Sequence, residues 1–154
     1  MPTLYVTIGI PGSGKSRWAQ TKTDAILVST DAIRQELCGN ITDQTRNAEV
    51  FDVAHAAIRC HLLAGHNVVF DATNLRGFNR EVLLKTLPPC DRVAVVFPCD
   101  AETAKARVRA DIRDGKNRSD VPDHAIERMA RLFAEEVSET ALLAEGFDEI
   151  IYIQ

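Results

Sequence analysis

Gly9-Ile10-Pro11-Gly12-Ser13-Gly14-Lys15-Ser16 matches the pattern G-x-x-x-x-G-K-[ST] at every position. Each residue type there has a physical reason. Gly9, Gly12 and Gly14, with Ser13 between them, let backbone N–H groups turn inward around a phosphate. The N-terminus of the helix that follows adds partial positive charge. Lys15 can reach β- and γ-phosphates, and the Ser16 hydroxyl can ligate Mg²⁺. The motif follows an apolar, β-branched run and opens a helical pattern, the context that identifies a P-loop. It implies a nucleotide but leaves the reaction open.

Further polar residues fall where such a site needs them. Asp31 and Arg34 are spaced i, i+3 just past the second predicted strand, so they share a helical face. A carboxylate there can accept a proton from an attacking hydroxyl, and the arginine can hold a phosphate or keep the carboxylate ionised. The spacing alone equally allows Thr30 or Asp31 to be a plain helix cap. Asp71 ends the third predicted strand, where an acidic residue can sit near a metal, and Thr73 and Asn74 extend that loop. Lys105, Arg109 and Arg113 recur at i+4, and Lys116 and Arg118 continue the charge. Such a stripe is commonly a solvated face. An arginine in a lid can instead neutralise charge on a transferred phosphoryl group.

The elements that carry these residues follow from periodicity. Strands are expected at Thr3–Ile8, Ala25–Ser29, Asn67–Asp71, Arg92–Phe97 and Glu149–Ile153, mostly as continuous apolar runs. Between them lie helical patterns: Lys15 into the low twenties, Asp31 to before Gly39, Gln44 to Ala64, and Asn79 to Leu87. Another follows a cap at Asp100, and one runs from Pro122 to Gly146. Val50, Ala54, Ile58 and Leu62 form one apolar stripe, and Ala104, Val108 and Ile112 another. Alternating strands and helices predict an α/β fold, a parallel sheet covered on both faces, in one domain over residues 1–154.

The 154 residues are 45% hydrophobic and 26% charged, which is ample for a buried core. A net charge of −4 argues against a generally basic, duplex-coating protein, although a local basic groove is compatible with it. No apolar run is long enough to cross a bilayer, so no membrane partner is expected. Met1-Pro2-Thr3-Leu4-Tyr5 lacks a basic region ahead of an apolar one, and the four cysteines form no C-x-x-C pair. Free thiols and a cytoplasmic location are the expectation. A GTPase would carry N-K-x-D, which is absent. An AAA-type motor would need a larger module and an acidic pair after the third strand, where Asp71 is followed by Ala72.

Together these segments resemble the polynucleotide 5′-kinase family, in its phage-type kinase domain. Residues 9–16 resemble its P-loop, including the proline and serine. Asp31-Ala32-Ile33-Arg34 is similar to its D-x-x-R, in which the aspartate is the general base and the arginine contacts the acceptor phosphate. Asp71-Ala72-Thr73-Asn74-Leu75 is similar to its acceptor-side D-T-N-L loop, with Ala72 inserted. Arg109-Ala110-Asp111-Ile112-Arg113 resembles its lid R-x-x-x-R, whose second arginine binds the ATP phosphates, and Arg118 is a further candidate for that role. The resemblance implies a P-loop kinase-like three-layer sandwich of strand order 2-3-1-4-5 with a lid between strands 4 and 5. It implies transfer of the ATP γ-phosphate, with Mg²⁺, to the 5′-OH end of DNA or RNA. A kinase for a small molecule, nucleoside or modified DNA base is the alternative, and a non-catalytic nucleotide-binding regulator a third.

Overall fold

Thr3–Ile8 (β1) is buried at Leu4, Val6, Thr7 and Ile8, because it becomes the centre of the sheet. A computed structural model describes residues 1–154. The elements after β1 are α1 (Lys15–Ala19), β2 (Ala25–Ser29), α2 (Thr30–Cys38), α3 (Asn47–Leu63), β3 (Asn67–Asp71) and α4 (Gly77–Lys85). Then come β4 (Asp91–Val96), α5 (Ala101–Arg113), α6 (Asp123–Glu136), α7 (Glu139–Glu145) and β5 (Glu149–Tyr152). The sheet is parallel, in the order β2-β3-β1-β4-β5, as expected. Leu4 pairs with Val68 on one side and Arg92 on the other, so the loop after β1 emerges mid-sheet.

Helices cover both faces. On α3, Val50, Ala54, Ile58 and Leu62 are all buried, as their i, i+4 spacing predicts. Ala54, Ile58 and Leu62 join β1, β3 and β4 in one core with Ala104 and Val108 of α5, Ile126 of α6 and Leu142 of α7. The other face is smaller: Val93, Val95 and Phe97, with Tyr5 and Trp18 packed against them. No helix is long and apolar enough to cross a membrane.

Several boundaries differ from the sequence reading. α1 stops at Ala19, where the Thr21 hydroxyl donates to the Trp18 carbonyl and a turn takes over. β2 is an edge strand rather than a buried one, with Leu27 48% exposed. Ile112, expected to continue the α5 stripe, is exposed. The helix expected to run from Pro122 to Gly146 is two. Val137 is extended, Ser138 caps α7 by accepting from the Ala141 N–H, and the Glu136 carbonyl accepts from Arg80 instead of continuing the helix. Asp100 caps α5 as expected, accepting from the Thr103 N–H at 2.7 Å.

Candidate active site

The loop after β1 has the backbone its glycines require. Gly12 has φ +82°, and a Cβ there would lie 2.7 Å from the Ala104 carbonyl oxygen of α5. A Cβ on Gly9 would lie 2.6 Å from Ser13 Oγ. The loop therefore closes too tightly for side chains at either position. Ser13 Oγ is buried without a hydrogen-bond partner. Lys15 is buried, and its Nζ donates to the Ile10 carbonyl at 2.9 Å. Burial lowers the Lys15 ammonium from 10.5 to about 8; Arg118 adds to the fall, while Asp71 and Asp31 oppose it. The guanidinium of Arg107 donates to the Gly12 carbonyl at 3.1 Å, a contact the sequence did not suggest.

Asp71 sits against this loop rather than standing out with Thr73 and Asn74. The Ser16 hydroxyl donates to Asp71 Oδ2 at 2.8 Å. Burial raises the Asp71 carboxyl above its ordinary value, and the Ser16 bond and Lys15 charge pull it back. A hydroxyl and a carboxylate oxygen in contact form a hard-oxygen pair. Mg²⁺ suits such a pair, since it takes one or two carboxylates with water and phosphate oxygens completing its octahedron. The buried, unpartnered Ser13 hydroxyl of the same glycine-rich loop likewise suits a phosphate-bearing ligand.

The rest of the β3 loop is pinned. The Gly9 N–H donates to the Thr73 carbonyl, and Asn74 Nδ2 donates to the Thr7 carbonyl at 2.8 Å. Asn74 is left-handed, with φ 48°. Arg80 of α4, which is 1% exposed, holds the loop from beneath. It donates to the Asn74 and Leu75 carbonyls and pairs bidentately with Glu145 of α7 at 2.7 and 2.8 Å. Arg80 and Glu145 lie 65 residues apart, so no spacing rule could have joined them.

On α2 the two readings of Asp31 separate. The cap is Ser29, whose hydroxyl accepts from the Ala32 N–H at 3.2 Å. Asp31 is exposed instead, and accepts from Arg34 Nη1 at 2.9 Å. Arg34 is buried; its Nη2 donates to Asn47 Oδ1 at 3.0 Å, and its Nε has no partner. Arg34 therefore presents a guanidinium fixed by two of its five N–H donors, with the others left over.

The basic stripe on α5 is largely neutralised. Lys105 pairs with Glu102 and Glu127, and Arg109 pairs with Asp123 of α6. Arg113 is exposed and forms no hydrogen bond or ion pair. Arg118, in the loop after α5, is only partly exposed and donates to Asp111 at 2.7 Å, and its charge bears on Lys15. The structure thus brings Ser16 and Asp71 into contact beside Lys15, whose ammonium feels the charges of Asp71, Arg118 and Asp31. It sets Asp31 and Arg34 at the neighbouring strand end, and leaves Arg109 and Arg113 exposed on α5.

The comparisons with known proteins agree with this architecture. The chain is similar to one in the structure of the Pnkp1/Rnl/Hen1 RNA repair complex, at 22% identity and TM-score 0.74, covering 87% of this chain and 44% of that one. It thus spans less than half of that protein's length. It is also similar to a putative kinase from Chloroflexus aurantiacus J-10-fl, at 14% identity and TM-score 0.74, covering 99% and 87% of the two chains. A gluconokinase from Sinorhizobium meliloti 1021 follows at 20% identity and TM-score 0.58, covering 99% and 82%. No curated protein matches. The fold is that of P-loop kinases. The sequence reading set aside an AAA-type motor because β3 ends in one carboxylate, Asp71-Ala72. The family model that matches nonetheless bears the AAA name. That model, described as an AAA domain, matches residues 4–136, and the chain belongs to this family of P-loop domains.

Proposed function

We propose that this chain is an ATP-dependent kinase whose acceptor is the 5′-OH end of DNA or RNA. The carrying observation is the Asp31–Arg34–Asn47 arrangement: an exposed carboxylate freed from capping, beside a buried arginine with a donor to spare. In this reading Gly9, Gly12, Ser13 and Gly14 cradle the ATP phosphates and Lys15 faces the β- and γ-phosphates. Ser16 and Asp71 would hold Mg²⁺, which supplies charge neutralisation on the phosphates when bound. The acceptor oxygen bonds to the γ-phosphorus as the bond to the ADP oxygen breaks, and Asp31 takes the hydroxyl proton. Arg34 holds the acceptor phosphate, with Thr73 and Asn74 on the far wall. Arg118, whose charge bears on Lys15, rather than the exposed Arg113, is assigned the transferring charge.

A small-molecule acceptor is the second reading. It is favoured by the gluconokinase and the putative kinase, of which this chain spans 82% and 87%. Incubation with γ-labelled ATP, Mg²⁺ and a panel of 5′-OH oligonucleotides, nucleosides and sugars separates the two. Label on the oligonucleotide 5′ end is expected. Label only on a sugar or nucleoside refutes the polynucleotide reading, and no acceptor with retained ATP binding supports a regulator.

A further inference from the structure

A cavity of about 370 Å³ opens beside Thr73 and Asn74. Its walls come from the β3–α4 loop, α6 and Phe51 of α3. Three of its lining residues, Arg76, Arg128 and Arg131, are exposed. None forms a hydrogen bond or ion pair, although Lys105, Arg109 and Arg118 nearby are all paired with carboxylates. Glu135, the acidic member of the lining, makes no ion pair with them, so the cavity carries excess positive charge. Phe51, Met129 and Leu132 give it an apolar side. Phe51 lies one turn along α3 from Asn47, the residue that holds Arg34. Residues at i and i+4 are neighbours on a helix face. Phe51 therefore shares a face of α3 with Asn47, the partner of Arg34, and the same cavity is lined by Thr73 and Asn74, which the reading above gives to the acceptor.

We infer that this cavity binds the sugar–phosphate backbone of a single-stranded acceptor, beyond the phosphate that Arg34 holds. The inference rests on the polynucleotide reading above and narrows it: the acceptor is a strand of several nucleotides, not a terminal nucleotide alone. The charge complements a run of phosphates, and an aromatic face beside it suits an unpaired base.

The test uses the double variant Arg128→Gln/Arg131→Gln. Both residues are exposed, and glutamine keeps helix propensity, so the fold should persist, as melting would verify. Fluorescence anisotropy of a labelled 5′-OH hexanucleotide gives affinity against salt. Each phosphate contact on a single strand contributes about 0.7 to the log–log salt slope, or about 5-fold at 0.1 M salt. Loss of two contacts should lower the slope by about 1.4 and weaken the hexamer about 25-fold. Phosphorylation of a nucleoside 3′-monophosphate, which reaches only Arg34, should be unchanged, while kcat/KM for the hexamer falls. Unaltered hexamer affinity and slope in the variant overturn the inference, whether or not oligonucleotides are phosphorylated. So does equal competition by a monosaccharide phosphate against the hexamer. If the wild type phosphorylates no 5′-OH acceptor, the polynucleotide reading fails, and the anisotropy arm still decides the cavity on its own.

Discussion

Replacing Lys15 by methionine should make the protein more stable while ending phosphoryl transfer. A fall from 10.5 to about 8 means that the native state disfavours the charged ammonium by about 3 kcal/mol, at about 1.4 kcal/mol per tenfold. Methionine keeps most of the straight-chain volume and removes the charge. It also removes the 2.9 Å bond to the Ile10 carbonyl, a loss of about 1 kcal/mol. The net gain at pH 7 is about 2 kcal/mol, or about 4–8 °C in Tm for a domain of this size. The pH dependence identifies the cause. Between about 8 and 10.5 the folded wild type has released the Lys15 proton while the unfolded chain still binds it. Wild-type stability therefore rises with pH across that window, relative to a variant that has no proton there to lose. The advantage of Lys15→Met should be full below pH 8 and, with the Ile10 bond still lost, turn into a deficit of about 1 kcal/mol by pH 10.5. Thermal and urea melts of both proteins across this range, alongside a labelled-ATP transfer assay, measure it. A variant no more stable than wild type at pH 7, or an advantage that does not shrink on alkaline titration, refutes the account of Lys15 as a strained, desolvated cation.

Three further outcomes are expected. Asp31→Asn should slow single-turnover transfer by about 10²–10⁴-fold with ATP affinity little changed; because Ser29 is the cap, near-wild-type turnover would remove Asp31 from the chemistry. Arg118→Ala should cost about 10³-fold in kcat, as for arginines that neutralise a transferring phosphoryl group, and Arg113→Ala no more than a few-fold. The opposite ranking in steady-state assays would return the role to the helix. Arg80→Met should destabilise by about 3–5 kcal/mol in urea melts, since it strands Glu145 in the core, and Arg80→Met/Glu145→Met should recover much of that loss. A double variant as unstable as the single would mean that the bonds to the loop carbonyls, not the ion pair, hold the region.

The sheet and the phosphate loop were legible because their signals are local. Apolar runs and a fixed eight-residue pattern place five strands and Lys15 without knowledge of distant contacts. The α3 stripe was equally plain, since one face of a long helix must be apolar to be buried. The misses share a cause in long-range pairing. Helix continuity past Val137 reads well from composition, but Arg80, far away in sequence, captures the Glu136 carbonyl. The R-x-x-x-R spacing puts Arg109 and Arg113 on one face, but it carries no sign of Asp123, which α6 brings to Arg109. Arg118 lies in a loop where periodicity has no purchase. For Asp31 the ambiguity was one residue wide: Ser29, still assigned to the strand, supplies the cap.

The register of β1 also governs how the chain can assemble as it is made. Leu4 pairs with Val68 and Arg92, 64 and 88 residues downstream, so both ladder partners of β1 are made after it. At a synthesis rate of about 5–20 residues per second, the strand waits about 3–13 s for β3 alone. During that interval Leu4, Val6 and Ile8, all fully buried in the finished sheet, remain accessible to the ribosome surface and to holding chaperones. Silent codon changes that slow translation between residues 20 and 67 lengthen that exposure, with no change in the mature protein. The strand that leads into the glycine-rich loop is thus made before either of the strands that hold it in the sheet.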